Sequence, residues 1–302
     1  MMNNAEFLQI LKNNASTVNK ALEDKLSIIE KDRSFPLIKE LQSSMSYSLL
    51  AGGKRIRPCL AIEFAKLFGA DEKSVLDSAC ALEMIHTFSL IHDDMPCMDD
   101  DDMRRGKPTN HIVYGETTAL LAGDALSVYA FETACNDNLS DKQNLEIMRL
   151  LAKSTGIFGM IGGQQIDLSS EGKNISAEIL ETLHRKKTGA LISCACLLGC
   201  IVADKLSGSS EYEDALTYSK AIGLAFQIAD DILDVTGDSE KLGKSCGSDE
   251  KEHKVTYVSL YGLEGAKQKA KEQIVIAKEA VSHYENSEFL VALADYIVQR
   301  DN

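Results

Sequence analysis

The sequence predicts an all-α, single-domain helical bundle, and three observations lead there. Apolar residues recur with helical period in nearly every readable segment. No run shows sustained two-residue alternation bounded by hairpin turns, so no sheet is expected. The 302 residues hold only 4 prolines and no Pro/Gly/Ser-rich linker, so residues 1–302 are expected to form one domain around one core.

Taken in order, Ala5 to Lys31 predicts one or two amphipathic helices, and the region of Pro36 starts the next, running to Leu50. Ala51-Gly52-Gly53 breaks it. Arg57-Pro58 then sets a proline in the first turn of an apolar helix that ends near Gly69. Ser74 to Ile91 is another. Further helices are expected at Thr117–Cys135, Asp141–Gly156, Ile175–Cys200, Tyr212–Val235, Leu263–His283 and Glu288–Gln299. Thr155 to Asp167 also has helical character in spite of its glycines. Each interior glycine costs a helix about 1 kcal/mol. Close approach of a neighbouring helix or of substrate at Gly162-Gly163 would justify that cost; a bend or element boundary there is the plainer alternative. The polar, glycine-punctuated run from Gly237 to Gly247, continuing through Lys254, has the character of a lid.

Composition narrows the function. A net charge of −14 argues against a general nucleic-acid surface and against adsorption to an anionic membrane. Residues 1–20 carry neither the basic start nor the apolar run of a signal peptide. No stretch is expected to supply the roughly 18 apolar residues of a membrane span. The 8 cysteines lack zinc-type spacing and sit mostly among Ala, Leu and Ile, as small core residues of a reducing compartment. The expected location is the cytoplasm.

Chemistry concentrates in two aspartate-rich segments, His92-Asp93-Asp94 through Arg104-Arg105 and Gln227 through Asp234. Each ends a long apolar stretch, where unpaired carboxylates are costly to desolvate. A divalent cation between facing carboxylates removes that cost, and oxygen-only donors suit Mg²⁺, which commonly takes substrate phosphates as further ligands. Asp230 and Asp234 are four apart and Asp231 and Asp234 three apart, so a helix puts each pair on one flank. Met95-Pro96-Cys97-Met98 bends the chain, which lets Asp99 rejoin Asp93 and Asp94 if the bend turns back. Asp99–Asp102 taken alone would make a solvated turn, with Asp101 and Asp102 as partners for Arg104 and Arg105. Two such motifs together point to a diphosphate held through Mg²⁺ between facing helices.

The ordered motifs resemble the short-chain trans-prenyltransferase family, in particular the bacterial farnesyl diphosphate synthase type, with plant-type geranylgeranyl diphosphate synthases as near relatives. They are Gly52-Gly53-Lys54-Arg55-Ile56-Arg57-Pro58, Ser89 to Asp94 through Arg105-Gly106, Gly115-Glu116 to Ala125, Gly162-Gly163-Gln164, Lys187-Thr188-Gly189-Ala190 and Phe226-Gln227 to Asp234. The resemblance runs from about Leu41 to Leu260 and more weakly beyond. It implies an all-helical homodimer with a deep central cavity of the isoprenoid synthase type. The implied reaction joins isopentenyl diphosphate to dimethylallyl and geranyl diphosphates with Mg²⁺, three per site when substrate is bound; Mn²⁺ is a possible substitute.

The same resemblance implies roles. Asp93, Asp94, Asp99, Asp230, Asp231 and Asp234 would reach Mg²⁺. Arg104, Lys187 and Lys244 would contact the allylic diphosphate, and Lys254 would close over it. Gly53, Lys54, Arg57, His86 and Arg105 correspond to the isopentenyl diphosphate site. Thr188 and Gln227 would line the developing allylic cation with Gln164 and Asp167 on the same wall, so that Lys187, Thr188, Gln227 and Lys244 form the catalytic set. His92 is expected to be only a helix-end polar residue.

Product length follows from position. At 1.5 Å rise per residue, Phe88 lies about 7.5 Å below Asp93 along its helix, where a ring can floor the cavity, while Ser89 is too small to do so. An aromatic residue here resembles enzymes that stop at the C15 farnesyl product. The C20 geranylgeranyl synthases are the alternative, because Met95-Pro96-Cys97-Met98 and Lys107-Pro108-Thr109-Asn110 resemble that branch. A terpene cyclase would usually carry a mixed Asn/Ser/Glu second motif. A non-catalytic partner subunit would be marked by lost ligands, and none is missing here.

Overall fold

The computed structural model describes residues 2–236 and 254–299. Its helices are α1 (Asn4–Ile29), α2 (Phe35–Leu49), α3 (Ile56–Leu67), α4 (Glu72–Asp93), α5 (Asn110–Tyr114), α6 (Glu116–Ala134), α7 (Asp141–Thr155), α8 (Met160–Ser170) and α9 (Ala177–His184). A π-helical turn, Arg185–Gly189, follows, and then α10 (Ala190–Val202), α11 (Ser210–Thr236), α12 (Tyr257–Val281) and α13 (Glu288–Gln299). The all-α single-domain bundle is as expected.

Local chemistry sets the starts. Asn3 with Glu6 and Ser140 with Gln143 form reciprocal capping boxes on α1 and α7, each satisfying backbone N–H groups that the helix leaves open. Asp71 caps α4 by accepting from the Lys73 amide. The core is built around α4 and α10. In α4, Val75, Ala79, Leu82, Met84 and Ile85 are fully buried, and in α10 the whole stretch from Cys194 to Val202 is buried. Gly199 lets α10 cross α3 closely, since a Cβ there would lie 2.6 Å from the Ala61 carbonyl oxygen. Tyr218 of α11 is fully buried, donates to the Leu290 carbonyl at 2.7 Å and meets Phe64 edge-on, tying α13 and α3 to α11.

Several expectations are corrected. The glycine-rich segment is not one helix. Its boundary falls at Gly156–Gly159, earlier than Gly162-Gly163, and α8 starts at Met160. The close-packing expectation survives at Gly163, where a Cβ would lie 2.2 Å from the Lys187 amide nitrogen. The segment from Ile175 to Cys200 is helical but contains the π turn, which period alone does not reveal. A two-residue antiparallel hairpin, β1 (Met103–Arg104) with β2 (Lys107–Pro108), was not expected. Its turn holds Arg105 at φ 54° and Gly106 at φ 73°, the paired positive φ of a tight hairpin, and strands this short leave no alternation to detect.

At 22 residues, α4 is long and apolar enough to cross a membrane, contrary to the expectation that no stretch would be. Its buried face packs against α3, α6 and α10, so its apolar length serves the core. Cys59, Cys80, Cys194, Cys196 and Cys200 are buried as expected, whereas Cys97 and Cys135 are exposed. The expected lid, Gly237–Gly247, and Lys244 within it lie outside the described residues.

Candidate functional site

Both acidic motifs end helices. Asp93 is the last residue of α4, and Asp230 to Asp234 lie in the last two turns of α11 as described. A helix C-terminus carries partial negative charge, so carboxylates are disfavoured there unless a cation answers them.

The bend after α4 turns back as expected. The Asp99 amide donates to the Asp93 carbonyl at 2.9 Å, after a Met98-to-Met95 backbone bond of 2.8 Å. Burial pushes the Asp93 carboxyl up to about 6; Lys187 pulls it down and the like charge of Asp99 pushes it up. Asp94 is buried and accepts from Arg104 Nε at 2.6 Å, and Arg104 also lies 3.6 Å from Asp101. Burial raises the Asp94 carboxyl, with the Arg104 hydrogen bond opposing it. Asp101 is thus a partner of Arg104, one of the two roles considered for it.

The glycine loop and the hairpin build a basic wall. Gly53 (φ 125°) lies against the Arg105 guanidinium, 3.0 Å from Nη1 to a Cβ built there, and Arg105 donates to the Gly52 carbonyl. Arg57 Nε is buried with no hydrogen-bond partner. Burial lowers the pKa of Arg57, with Glu83 opposing and Arg105 adding to the shift. His86 is held well below its ordinary value by burial and then by Arg57, Arg105 and Arg104, so it is neutral at pH 7. Lys54 is exposed, with Nζ 5.4 Å from the centre of the Tyr296 ring. Arg55, in contrast, is buried. It donates to Glu83 at 2.5 Å, to Asn19 at 2.9 Å and to the Leu49 carbonyl at 2.6 Å. The loop is therefore a braced cradle and not a solvated turn.

Lys187 and Thr188 sit on the π turn, and Lys187 Nζ is 2.5 Å from Asp167 Oδ2. Gln164 has both amide atoms buried without a partner, which marks a position where polar contacts are still to be made. A cavity of about 490 Å³ is lined by Arg57, His86, Phe88, Asp93, Gln164 and Lys187, among others. Thr188 and Ser89 also line it, and Ser89 Oγ donates to the His86 carbonyl at 2.9 Å. Phe88 is 6% exposed.

The second motif is less gathered. Gln227 Nε2 donates to Asp230 Oδ2 at 3.1 Å, and neither residue lines that cavity. Asp231 is buried; its Oδ2 accepts from the Tyr257 amide at 2.7 Å, at the start of α12, and lies 3.7 Å from His184 Nε2. Asp231 points about 100° from Asp230 and is taken up by the start of α12, although its spacing also puts it on a flank with Asp234. Lys254 is described and is followed by Val255 and by Thr256, the N-cap of α12.

Among the described residues no group of three His, Cys, Asp or Glu is close enough to hold a metal by itself. The donor chemistry nonetheless fits Mg²⁺. The donors are oxygen-only, and the half-buried Asp93, raised by desolvation and by the like charge of exposed Asp99, gains from a cation. Mg²⁺ is usually bound through one or two carboxylates plus substrate phosphates and not in an all-protein cage.

Sequence reasoning missed Glu83, His184, Tyr257 and Asn110. Glu83 had a signal, a lone acid within the apolar run Ala81 to Ile85. Asn110, buried, exchanges hydrogen bonds with Ser44 and donates to Ser48 Oγ at 2.8 Å, pinning the hairpin to α2. That gives the Lys107–Asn110 segment a structural job.

Basic groups beside an acidic helix end, above a partly apolar cavity, suit a phosphorylated substrate with a hydrocarbon tail. The chain belongs to the polyprenyl synthetase family, whose pattern matches residues 38–292. It is 44% identical to a chloroplastic geranylgeranyl pyrophosphate synthase of Catharanthus roseus, across 98% of this chain and 82% of that one. It is 43% identical to a farnesyl diphosphate synthase of Bacillus subtilis, across 94% of this chain and 96% of the other. The solved structure of an FPP/GFPP synthase from Zymomonas mobilis matches with a TM-score of 0.85 at 34% identity, covering 97% of this chain and 99% of that one. Mg-dependent, head-to-tail elongation of isoprenoid diphosphates is the chemistry this membership supports.

Proposed function

We propose that the chain condenses isopentenyl diphosphate with dimethylallyl and then geranyl diphosphate, releasing diphosphate and stopping mainly at the C15 (2E,6E)-farnesyl product. The observation that carries this reading is that Asp93, Lys187, Arg57, His86 and Phe88 line one cavity. Asp93, Asp94, Asp99, Asp230, Asp231 and Asp234 would hold Mg²⁺, three per site with substrate, which when bound would supply positive charge against the departing diphosphate.

The chain's own residues divide the remaining work. Lys187, Arg104 and Lys244 bind the allylic diphosphate, and Lys254, shortly before α12, closes over it. Gly53, Lys54, Arg57, Arg105 and neutral His86 hold the isopentenyl diphosphate by direct contacts, without activating it for departure. As the allylic C–O bond breaks, its electron pair leaves with the diphosphate. The π pair of isopentenyl diphosphate forms the new C–C bond, and the proton then lost goes to the departed diphosphate. Thr188 and Gln227 direct oxygen toward the developing cation, and fixed dipoles of this kind need no reorganisation during the reaction. Met95, Met98, Leu120 and Leu191 line the cavity and exclude water from the cation.

The tail runs from Asp93 toward Phe88 in the 490 Å³ cavity that both residues line, the expected deep central cavity. The working unit is the whole domain, residues 1–302, as a cytoplasmic homodimer. Exposed Ile112, Leu121 and Val128 on α5 and α6, 50% or more accessible, support a self-association face. A C20 product is the second reading, favoured by 44% identity to the Catharanthus roseus synthase. Mass analysis of products from dimethylallyl and isopentenyl diphosphates with Mg²⁺ tests both. No condensation with Mg²⁺ or Mn²⁺ overturns the proposal, and a dominant C20 product replaces the first reading with the second.

A further inference from the structure

The expectation for His92 was an ordinary polar residue at a helix end, and its surroundings are more specific than that. Its Nε2 lies 3.1 Å from the Leu120 carbonyl oxygen, a bond from α4 to α6 when Nε2 carries the proton. The imidazole rests on Gly123, where a Cβ would fall 2.1 Å from Nε2, so α6 has been left without a side chain just where the ring lies. On its other side the imidazole meets Phe88 edge-on, with ring centres 5.7 Å apart at 74°. Phe88, His92 and Leu120 all line the same cavity.

We propose that His92 is a positioning residue for product length. The inference rests on the reading of Phe88 as the floor of the tail path. The imidazole fills the gap over Gly123 and is held there by the Leu120 carbonyl. It therefore occupies the space that α6 leaves open at Gly123, beside the Phe88 ring. Phe88 and His92 are four residues apart, one turn on the same face of α4, so the brace stands directly above the floor. Without the imidazole, the phenyl ring swings toward Gly123 and the path below it opens. His92 touches no reacting atom in this account; it sets length by fixing where Phe88 stands.

The test measures product length at low conversion for wild type, Phe88→Ala, His92→Ala, His92→Gln and Phe88→Ala/His92→Ala, each checked for native helical signal. In His92→Ala, the ratio of products one isoprene unit longer to the main wild-type product should rise at least roughly tenfold, the scale on which an apolar pocket discriminates one small group. His92→Gln should stay near wild type, because the amide reaches the Leu120 carbonyl and covers Gly123. The double variant should be no longer in product than Phe88→Ala alone, since His92 acts through that ring. Adding Gly123→Ala to His92→Ala puts a methyl into the vacated space and should return product length toward wild type. A wild-type pattern in His92→Ala, or no return in the His92→Ala/Gly123→Ala double variant, with Phe88→Ala lengthened, overturns the role of His92 alone. A wild-type pattern in Phe88→Ala overturns the floor reading and this inference together.

Discussion

Arg55 Nη1 and Glu83 Oε1 form an ion pair at 2.5 Å with their side chains 1% and 3% exposed. It fastens the glycine loop before α3 to the middle of α4, and Arg55 holds φ 49° to reach it. A buried pair is weak evidence of net stability, but breaking one side leaves an uncompensated charge. Glu83→Ala should therefore cost about 3–5 kcal/mol. Urea unfolding reads this directly. An Arg55→Met/Glu83→Leu double variant should recover much of the loss, and equal destabilisation of the two variants would contradict the account.

Asp93→Ala and Asp230→Ala should each lower single-turnover rates by at least ~100-fold, within the several kcal/mol that a metal supplies to transition-state charge. Far-UV circular dichroism should stay near wild type. A near-normal rate in either variant removes that residue from the metal set.

Gly163→Ala places a methyl 2.2 Å from the Lys187 amide nitrogen, a backbone atom on the π turn that carries Thr188. Something must move, and a 1 Å misplacement of a reacting group can cost on the order of 100-fold. Turnover should fall by roughly 10- to 100-fold with little change in helical content. Steady-state kinetics beside circular dichroism decides this, and unchanged turnover would show that the π turn tolerates the shift.

Phe88→Ala should move the main product from C15 toward C20 or longer, with Ser89 unchanged. Losing a ring that is 6% exposed should also cost about 3–5 kcal/mol of stability. Product length must accordingly be measured on folded protein at low conversion and again at high isopentenyl diphosphate. A sharply C15 pattern in the variant would move length control to an opposing helix.

Thiol reactivity should follow burial. Burial pushes the Cys59, Cys80 and Cys194 thiols up to about 12, so they remain protonated and unreactive at pH 8. Cys97 and Cys135 are exposed and should label rapidly with a thiol reagent, as read by peptide mapping. Raised folded-state values also mean that the unfolded chain gives up these protons first. Stability should thus decline as pH rises from about 8.5 toward 12, other groups held constant. Fast labelling of Cys194 at pH 8 would contradict its burial.

Much was legible in the sequence because it rests on local physics. Helical period, capping residues and scarce proline are properties of neighbouring residues, and they located the long helices other than α12 to within a few positions. The exception, α12, starts at Tyr257 and passes through a non-helical Gly262 (φ 69°) before the expected start at Leu263. The placement of the acidic motifs toward helix ends was legible for a similar reason: the carboxylates begin where the apolar helical runs stop. The turn back of Asp99 to Asp93 needed only the four-residue bend between Asp94 and Asp99.

Only the tertiary structure decided the rest. Arg55 and Arg57 sit two residues apart in one basic run, yet Arg55 is buried against Glu83 while Arg57 lines the cavity. Asp231 shares a motif with Asp230, yet its carboxylate caps the start of α12 through Tyr257. The bare space at Gly123 has meaning only because His92 of another helix occupies it. Each assignment depends on which partner a distant segment presents. Sequence spacing determines the direction in which a side chain leaves its helix, while the packing of the helices determines what it meets there.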